Sequence, residues 1–202
     1  RPRWQGEDRV PDSLAEAIRS FVYACAVRKL RGQGSKHSSM LIHVTRFTLV
    51  QNAVVNQVAE YVRDLKGRYT RGIELADLEA SMRKEYEKTF LPGMKGIRSA
   101  LVEGETLEDF SWADIRAVLP DVLSDIRVRE INGTAKDALD YAENDGTGLK
   151  VIAIGGDKLA RGLTLEGLCT SYFLRTARMY DTLMQMGRWF GYRDGYLDVC
   201  RL

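Results

Sequence analysis

Glycines and basic side chains occur together in one short segment of the chain, a combination that suits phosphate. Gly155 and Gly156 have no side chains, so a phosphate group or a neighbouring backbone can approach them closely. Lys158 and Arg161 add positive charge and hydrogen-bond donors for phosphate oxygens, and Gly162 follows directly. The pattern predicts a loop that contacts phosphate or a nucleotide. The alternative is a tight left-handed turn that needs glycine for its geometry alone.

A second group of polar side chains lies further along the chain. Gln185, Arg188 and Arg193 fall on or just past a segment whose apolar spacing predicts a helix. Large aromatic residues beside the arginines can fix the direction in which a guanidinium group points. The alternative is that both arginines form salt bridges, with Asp181 or Asp194 as the nearest acids.

Alternating strand and helix patterns predict an α/β fold that would position these residues. Short apolar runs separated by helical segments require crossover connections, which join parallel strands. Ligands of parallel sheets bind outside the carboxyl ends of the strands, where Gly155 and Gly156 fall. We therefore expect a three-layer arrangement, a parallel sheet flanked by helices. The predicted strands are residues 40–44, 126–131, 149–154 and 169–174.

Helix starts are indicated by capping-box patterns, in which a Ser or Thr is followed three residues later by an acid or amide. Four such patterns are Ser13-x-x-Glu16, Thr48-x-x-Gln51, Thr106-x-x-Asp109 and Ser111-x-x-Asp114. The segment 67–123 is rich in charged residues with helical spacing, and we interpret it as an outlying helical insertion in a single domain spanning 1–202. Both ends of the chain look like cuts through a longer polypeptide.

Composition is that of an ordinary soluble protein. With 202 residues and 45% hydrophobic content, the chain can bury one sizeable core. A net charge of +2 neither indicates nor excludes nucleic-acid binding, because only one face needs to be basic. No apolar run approaches the ~20 residues that cross a bilayer, so we expect no membrane association.

The cysteines and histidines carry no recognisable metal or disulfide pattern. Cys25, Cys169 and Cys200 are isolated in apolar contexts, which predicts reduced core thiols and a cytoplasmic location. His37 and His43 have no partner that the sequence identifies, so we interpret them as structural or solvated.

Two catalytic patterns are missing from the 202 residues. There is no GxxxxGK[ST] loop to hold the β- and γ-phosphates of a nucleotide, so the chain alone should not hydrolyse ATP. There is also no strand-borne acid pair followed by lysine of the kind that forms a nuclease centre.

A family resemblance rests on the densest motifs of the chain. They are Gly155-Gly156-x-Lys158-Leu-x-Arg161-Gly162-Leu-Thr-Leu-Glu-Gly167, Ser171-Tyr-Phe-Leu-Arg175 and Asp181-Thr-Leu-x-Gln185-Met-Gly-Arg-Trp-Phe-Gly-Tyr-Arg193. Their order is similar to motifs five and six of superfamily-two helicases, and their wording resembles the Z-one domain of putative endonucleases and restriction-like proteins. The resemblance implies the C-terminal RecA-like lobe of a helicase, with the fold of P-loop nucleotide hydrolases and a role in defence against foreign DNA.

The same resemblance implies roles for individual residues. Arg161-Gly162 takes the place of motif five, which contacts nucleotide and nucleic acid, while Gln185 belongs to motif six. Arg188 is the first candidate for an arginine finger and Arg193 the second. ATP with Mg²⁺ would be bound mainly by a first lobe of the same polypeptide. Thr164 stands where many helicases have an acid that holds the ribose, which leaves that contact in doubt.

Nucleic-acid contacts are expected at the end of the first predicted strand. Thr45 and Arg46 occupy the place where such lobes hold a nucleic-acid backbone, and Arg175 is a weaker candidate for the same groove. A capped helix with an exposed arginine is the alternative at Arg46. For the whole chain, the alternatives are a non-catalytic module that binds DNA or a partner, and a nuclease domain acting alone.

Overall fold

A computed structural model describes residues 8–44, 48–100, 107–131, 141, 144, 146–156, 165–173 and 195–202. Within these ranges, four strands form one parallel sheet in the order β2-β3-β1-β4. The strands are β1 Ser38–His43, β2 Ile126–Ile131, β3 Lys150–Gly155 and β4 Leu168–Phe173. All four predicted runs are strands of this sheet, so the prediction of an α/β fold with a parallel sheet flanked by helices is confirmed.

Five α-helices accompany the sheet in the described part of the chain. They are α1 Asp12–Arg28, α2 Thr48–Arg71, α3 Leu75–Glu85, α4 Leu91–Ala100 and α5 Trp112–Asp125. Two π-helical turns, Lys29–Gln33 and Tyr86–Phe90, extend α1 and join α3 to α4. Gly32 has a φ of 76° inside the first of these turns, a left-handed conformation that ends the helical path and that favours glycine.

The core is built on one face of the sheet. Because side chains alternate along a strand, Met40 and Ile42 of β1 and Ile152 and Ile154 of β3 share this face, and all four are buried in the core. Helix α1 lies at the centre of the packing, since every residue from Phe21 to Arg28 is buried. Burial of each large apolar side chain contributes about 1.5–3 kcal/mol, so α1 and the two inner strands dominate the stability of the fold.

The helices of segment 67–123 pack into this same core. Met82 of α3, Met94 of α4 and Leu119 of α5 are fully buried in it, together with the central helix. The apolar stripes of these helices are therefore part of the core, while the division of the chain into a lobe and an insertion at 67–123 stays a prediction. Gly67 itself lies inside α2, which continues to Arg71.

Two of the capping predictions can be compared with the helix starts. Ser111 caps α5, with Ser111 and Asp114 forming a reciprocal capping box. Ser13 does not cap α1, which begins one residue earlier after Pro11. The hydroxyl of Ser13 is instead hydrogen-bonded to the hydroxyl of Tyr172 at 2.7 Å. The side chain predicted to cap the helix therefore binds a residue that is distant in sequence.

We predict that Ser111→Ala lowers the free energy of unfolding by about 1 kcal/mol, the usual cost of losing a helix N-cap. The side chain accepts a hydrogen bond from the Asp114 amide, and alanine would leave that donor without it. Urea unfolding of the two proteins measures the difference. The matched control is Ser81→Ala at an exposed position of α3, where alanine's better helix propensity should be neutral or slightly stabilising. Equal effects at the two positions would contradict the capping role.

The burial of the cysteines can be compared with the prediction of reduced core thiols. Cys25 and Cys169 are buried as predicted, while Cys200 is half-buried, and each of the three carries a thiol. Burial raises the pKa of the Cys25 thiol, which keeps it protonated.

In the ranges that the structure covers, none of the helices combines the length and apolar character needed to cross a bilayer.

Candidate functional site at the carboxyl edge of the sheet

The last residues of the four strands form one row across the sheet. In spatial order they are Ile131, Gly155, His43 and Phe173, each paired in register with its neighbour. Parallel partners in register point to the same face, and the His43 and Phe173 rings, 5.8 Å apart between centroids, meet there. Gly155 contributes no side chain, so the row has a gap between Ile131 and His43.

Gly155 belongs to β3 and remains in extended pairing, and its carbonyl accepts a hydrogen bond from the Val44 amide at 2.9 Å. A left-handed turn at this glycine, the alternative considered from the sequence, is therefore not what the structure has. Gly156 follows it and is also buried. Since β1 and β3 are adjacent, the backbone that leaves β1 at Val44 starts beside the backbone that leaves β3 at Gly156.

The amino end of α2 lies at this same edge. The helix runs antiparallel to β2: Asn52 lies 2.6 Å from a carboxylate oxygen of Glu130, near the strand's carboxyl end. At the other end of the helix, Lys66 donates to the carbonyl of Ile126 at 2.7 Å. A helix of 24 residues carries partial positive charge at its amino end, where unpaired amides can bind anions. The prediction of a helix N-terminus near Thr48 is confirmed.

His43 is a member of this edge that the sequence interpretation passed over. Its side chain is buried and packs against Phe173 between β1 and β4. The signal was present, since alternation along the predicted strand puts His43 on the face of Leu41 at the strand's carboxyl end. The rule that ligands bind at the carboxyl ends of parallel strands points to His43 as well as to Gly155.

Most of the predicted site residues lie outside the described part of the chain. They are Thr45, Arg46, Lys158, Arg161, Gly162, Thr164, Arg175, Asp181, Gln185, Arg188, Arg193 and Asp194. The structure therefore places Gly155 and Gly156 at the carboxyl edge, whereas the convergence of Arg161, Arg188 and Arg193 on them stays a prediction.

Polar residues at the opposite, amino edge of the sheet hold the strands together. Arg28 donates to the carbonyl of His37 at 2.6 Å and to the hydroxyl of Ser38 at 2.8 Å. The Nδ1 atom of His37 accepts a hydrogen bond from the Leu149 amide at 3.0 Å, so this histidine is structural, as one reading of the sequence had it. Burial lowers the pKa of Lys150, whose ammonium group donates to loop carbonyls at this edge.

One glycine at the amino edge is required by close packing. Gly167 has a φ of 63°, and a Cβ atom placed on it would lie 1.9 Å from the carbonyl oxygen of His37. The neighbouring Glu166 carbonyl accepts from Ser39 at 2.7 Å, and Ser39 is also hydrogen-bonded to Tyr141. Burial raises the pKa of Tyr141 to about 12, so its hydroxyl stays protonated at neutral pH.

Residues 195–202 are fixed to the lobe by a buried ion cluster. Asp198 is fully buried and receives Arg31 through two parallel hydrogen bonds of 2.7 and 2.8 Å. Arg98 of α4 lies 3.4 Å from the same carboxylate. Arg201 donates to the carbonyl of Phe90 at 2.9 Å and forms a β-bridge with Thr170 of β4. The cluster joins α4, the end of α1 and the sheet to one short segment.

An open cavity of about 560 Å³ lies beside this cluster. It is lined by Arg31, Gln33, Leu107, Glu108 and Gly195. Among the described residues of this lining, the one cation is Arg31, and its terminal nitrogens are hydrogen-bonded to Asp198. Among the described residues, no three His, Cys, Asp or Glu side chains lie close enough together to hold a metal ion.

The fold and its carboxyl edge define an α/β protein with a glycine-lined row where ligands of parallel sheets bind. The chain belongs to the Z1 domain family, the Z-one family of the resemblance, whose model matches residues 13–202. Neither the curated proteins nor the solved structures contain a match to the chain.

Proposed function

We propose that this chain is the second, RecA-like motor lobe of an ATP-dependent nucleic-acid translocase associated with a putative endonuclease. One observation carries the proposal: Gly155 and Gly156 lie at the carboxyl edge of a parallel sheet, and the sequence continues directly into Lys158 and Arg161. Position and composition agree, because the ligand edge of the sheet leads into a segment that contains a lysine, an arginine and a further glycine.

The described geometry suits a phosphate group at this edge. Gly155 places no Cβ atom between Ile131 and His43, where any other residue would put a side chain. The amino end of α2 adds a partial positive charge. ATP with Mg²⁺, which supplies the transferable phosphoryl group and its counter-charge, would be held mainly by a first lobe, since this chain lacks the GxxxxGK[ST] loop.

In this proposal one group of residues acts on the nucleotide and another group binds DNA. Arg161, Gly162 and Gln185 contact the nucleotide from the side of this lobe, while Arg188 or Arg193 stabilises the charge that develops on the γ-phosphate. Thr45, Arg46 and Arg175 contact the backbone of DNA. The partner of the lobe is the N-terminal lobe of the same polypeptide.

The proposal predicts a difference between the 202-residue chain and the intact protein. We expect no ATP turnover above background from the chain alone, with or without DNA, because nothing in it holds the β- and γ-phosphates. The intact protein should hydrolyse ATP faster when DNA is added. Released phosphate measures both, and removal of Mg²⁺ with a chelator gives the background.

Two results would count against this assignment. Turnover by the chain alone would make it a nucleotide-hydrolysing domain in its own right. An intact protein that binds DNA but never hydrolyses ATP would replace the motor proposal with a non-catalytic binding module.

A further inference from the structure

Exposed arginines lie side by side on β2, at the end of the sheet farthest from β4. Arg127 and Arg129 are both exposed, whereas their register partners on β3, Val151 and Ala153, are fully buried. Residues two apart on a strand point to the same face about 6.6 Å apart. The two guanidinium groups therefore extend from one face of β2 into solvent.

Two more cations come to this strand from α2. Lys66 donates to the carbonyls of Ile126 at 2.7 Å and Ser124 at 3.3 Å, which fixes its ammonium group beside the start of β2. Arg63 is exposed one helical turn earlier on the same flank of α2. Val128, between the two arginines, packs against the core on the side of α2, so Arg127 and Arg129 point to the other side of β2. Arg63 and Lys66 on one side of the strand, and Arg127 and Arg129 on the other, form what we term the basic edge.

The cations of the basic edge have no acidic partners. Elsewhere on the surface, arginines pair with nearby carboxylates, as Arg68 does with Asp64 at 2.8 Å and Arg83 with Glu87 at 2.9 Å. Over the residues that the structure covers, none of the four cations of the basic edge has such an ion pair.

The charges of this group act on one another. The pKa of Lys66 lies below its usual value, first because of burial and next because of the positive charge of Arg127. Of the two neighbouring carboxylates, Asp125 opposes that shift, while Glu130 is engaged by Asn52. Four cations with so little compensation leave a local excess of positive charge.

We infer that the basic edge is a second nucleic-acid surface, which binds the phosphate backbone of duplex DNA. Phosphates are spaced closely enough along a duplex for neighbouring arginines to contact successive groups, and guanidinium binds phosphate oxygens through paired hydrogen bonds. The contact needs no nucleotide and no second lobe, so it does not depend on the motor proposal. It also uses none of Thr45, Arg46 and Arg175, the residues that contact DNA in the motor proposal.

If the basic edge serves only to prevent self-association of the sheet, a different result is expected. Cations beside an outer strand can prevent two sheets from associating edge to edge. Such a role concerns self-association alone, so its loss would leave DNA affinity unchanged. DNA binding instead depends on salt, because each neutralised phosphate releases counterions.

The test compares two double variants of the chain with equal loss of charge. Arg127→Gln with Arg129→Gln removes the exposed pair of β2, and Lys84→Gln with Lys88→Gln removes two exposed lysines from α3 and the turn that follows it. Fluorescence anisotropy with a labelled duplex, between about 50 and 200 mM salt, gives the affinity and its salt slope. We expect the arginine variant to bind at least about tenfold more weakly at 100 mM salt, with the slope reduced by about 1.8. The lysine variant should match the wild type.

Several results would overturn the inference. Equal losses of DNA affinity in both variants would show that only the net charge of the chain matters. If the chain binds no duplex at all, the basic edge is not a DNA-binding surface. Light scattering that shows self-association of the arginine variant with unchanged DNA affinity would establish the protective role. If polyglutamate at the same charge concentration displaces the duplex, we would conclude that the partner of this surface is an acidic protein. Thermal unfolding of both variants should match the wild type, because all the substituted residues are exposed.

Discussion

Replacing Arg188 with alanine in the intact protein is expected to lower DNA-stimulated ATP hydrolysis by on the order of 10³, the lower end of what arginine fingers contribute. ATP binding should stay nearly unchanged, because a first lobe would supply the main contacts with the nucleotide. The loss falls on the transition state, where additional negative charge on the transferring phosphoryl group would meet no guanidinium. Single-turnover hydrolysis and nucleotide titration separate the two quantities.

Two further variants identify which arginine acts. Arg188→Lys should restore only part of the rate, since a point charge on a flexible stem does not reproduce the planar, forked guanidinium group. If Arg188→Ala hydrolyses normally and Arg193→Ala does not, Arg193 is the finger and the lobe assignment stands. Normal hydrolysis by both alanine variants would show that neither arginine acts in the reaction.

Replacing Asp198 with asparagine is expected to reduce the free energy of unfolding by about 3–5 kcal/mol, the cost of breaking a buried ion pair from one side. The carboxylate is fully buried between Arg31 and Arg98. An amide would leave the guanidinium group of Arg31 without its counter-charge, whereas Arg98 would keep its ion pair with Asp109. Urea unfolding followed by circular dichroism gives the difference. The control is Asp64→Asn, which removes an exposed partner of Arg68 and should cost about 0.5 kcal/mol.

A comparable loss in the two variants would show that the Asp198 cluster contributes no more than a surface pair. A large loss in Asp198→Asn alone would confirm that residues 195–202 hold α4 and α1 together through this carboxylate.

The sheet could be predicted because each strand contains a short apolar run, or, in β2, apolar residues at alternate positions. The run at 149–154 is continuous and buried on both faces, which is the usual pattern of an inner parallel strand. The start of β1 was missed because Ser38 and Ser39 are polar. Their hydroxyl groups are satisfied by Arg28 and Tyr141, and a local reading of the sequence cannot detect such distant partners.

The packing of segment 67–123 could not be predicted for a similar reason. Its helical pattern was recognised, but the pattern does not say which surface the apolar stripe meets. Asp198 was passed over as well, because its partner Arg31 is 167 residues away and nothing near it in sequence marks it as buried.

The candidate site was predicted in part. Gly155 and Gly156 followed from the rule for strand ends, and His43 follows from the same rule once β1 is in place. The basic edge could not have been read from the sequence, since it needs α2 and β2 side by side. The cations proposed to meet the nucleotide lie outside the described residues.

The bridge between Thr170 and Arg201 has a consequence for how the lobe folds. Synthesis proceeds from the amino end, so β4 exists before residues 195–202 arrive to cover its outer side. Until then the β4 backbone that pairs with Arg201 is open to strands of other chains. Contacts as distant in sequence as that of Arg31 with Asp198 also form slowly, because a long loop must close first. The nascent lobe therefore passes through an interval in which this side of β4 is open to misassembly.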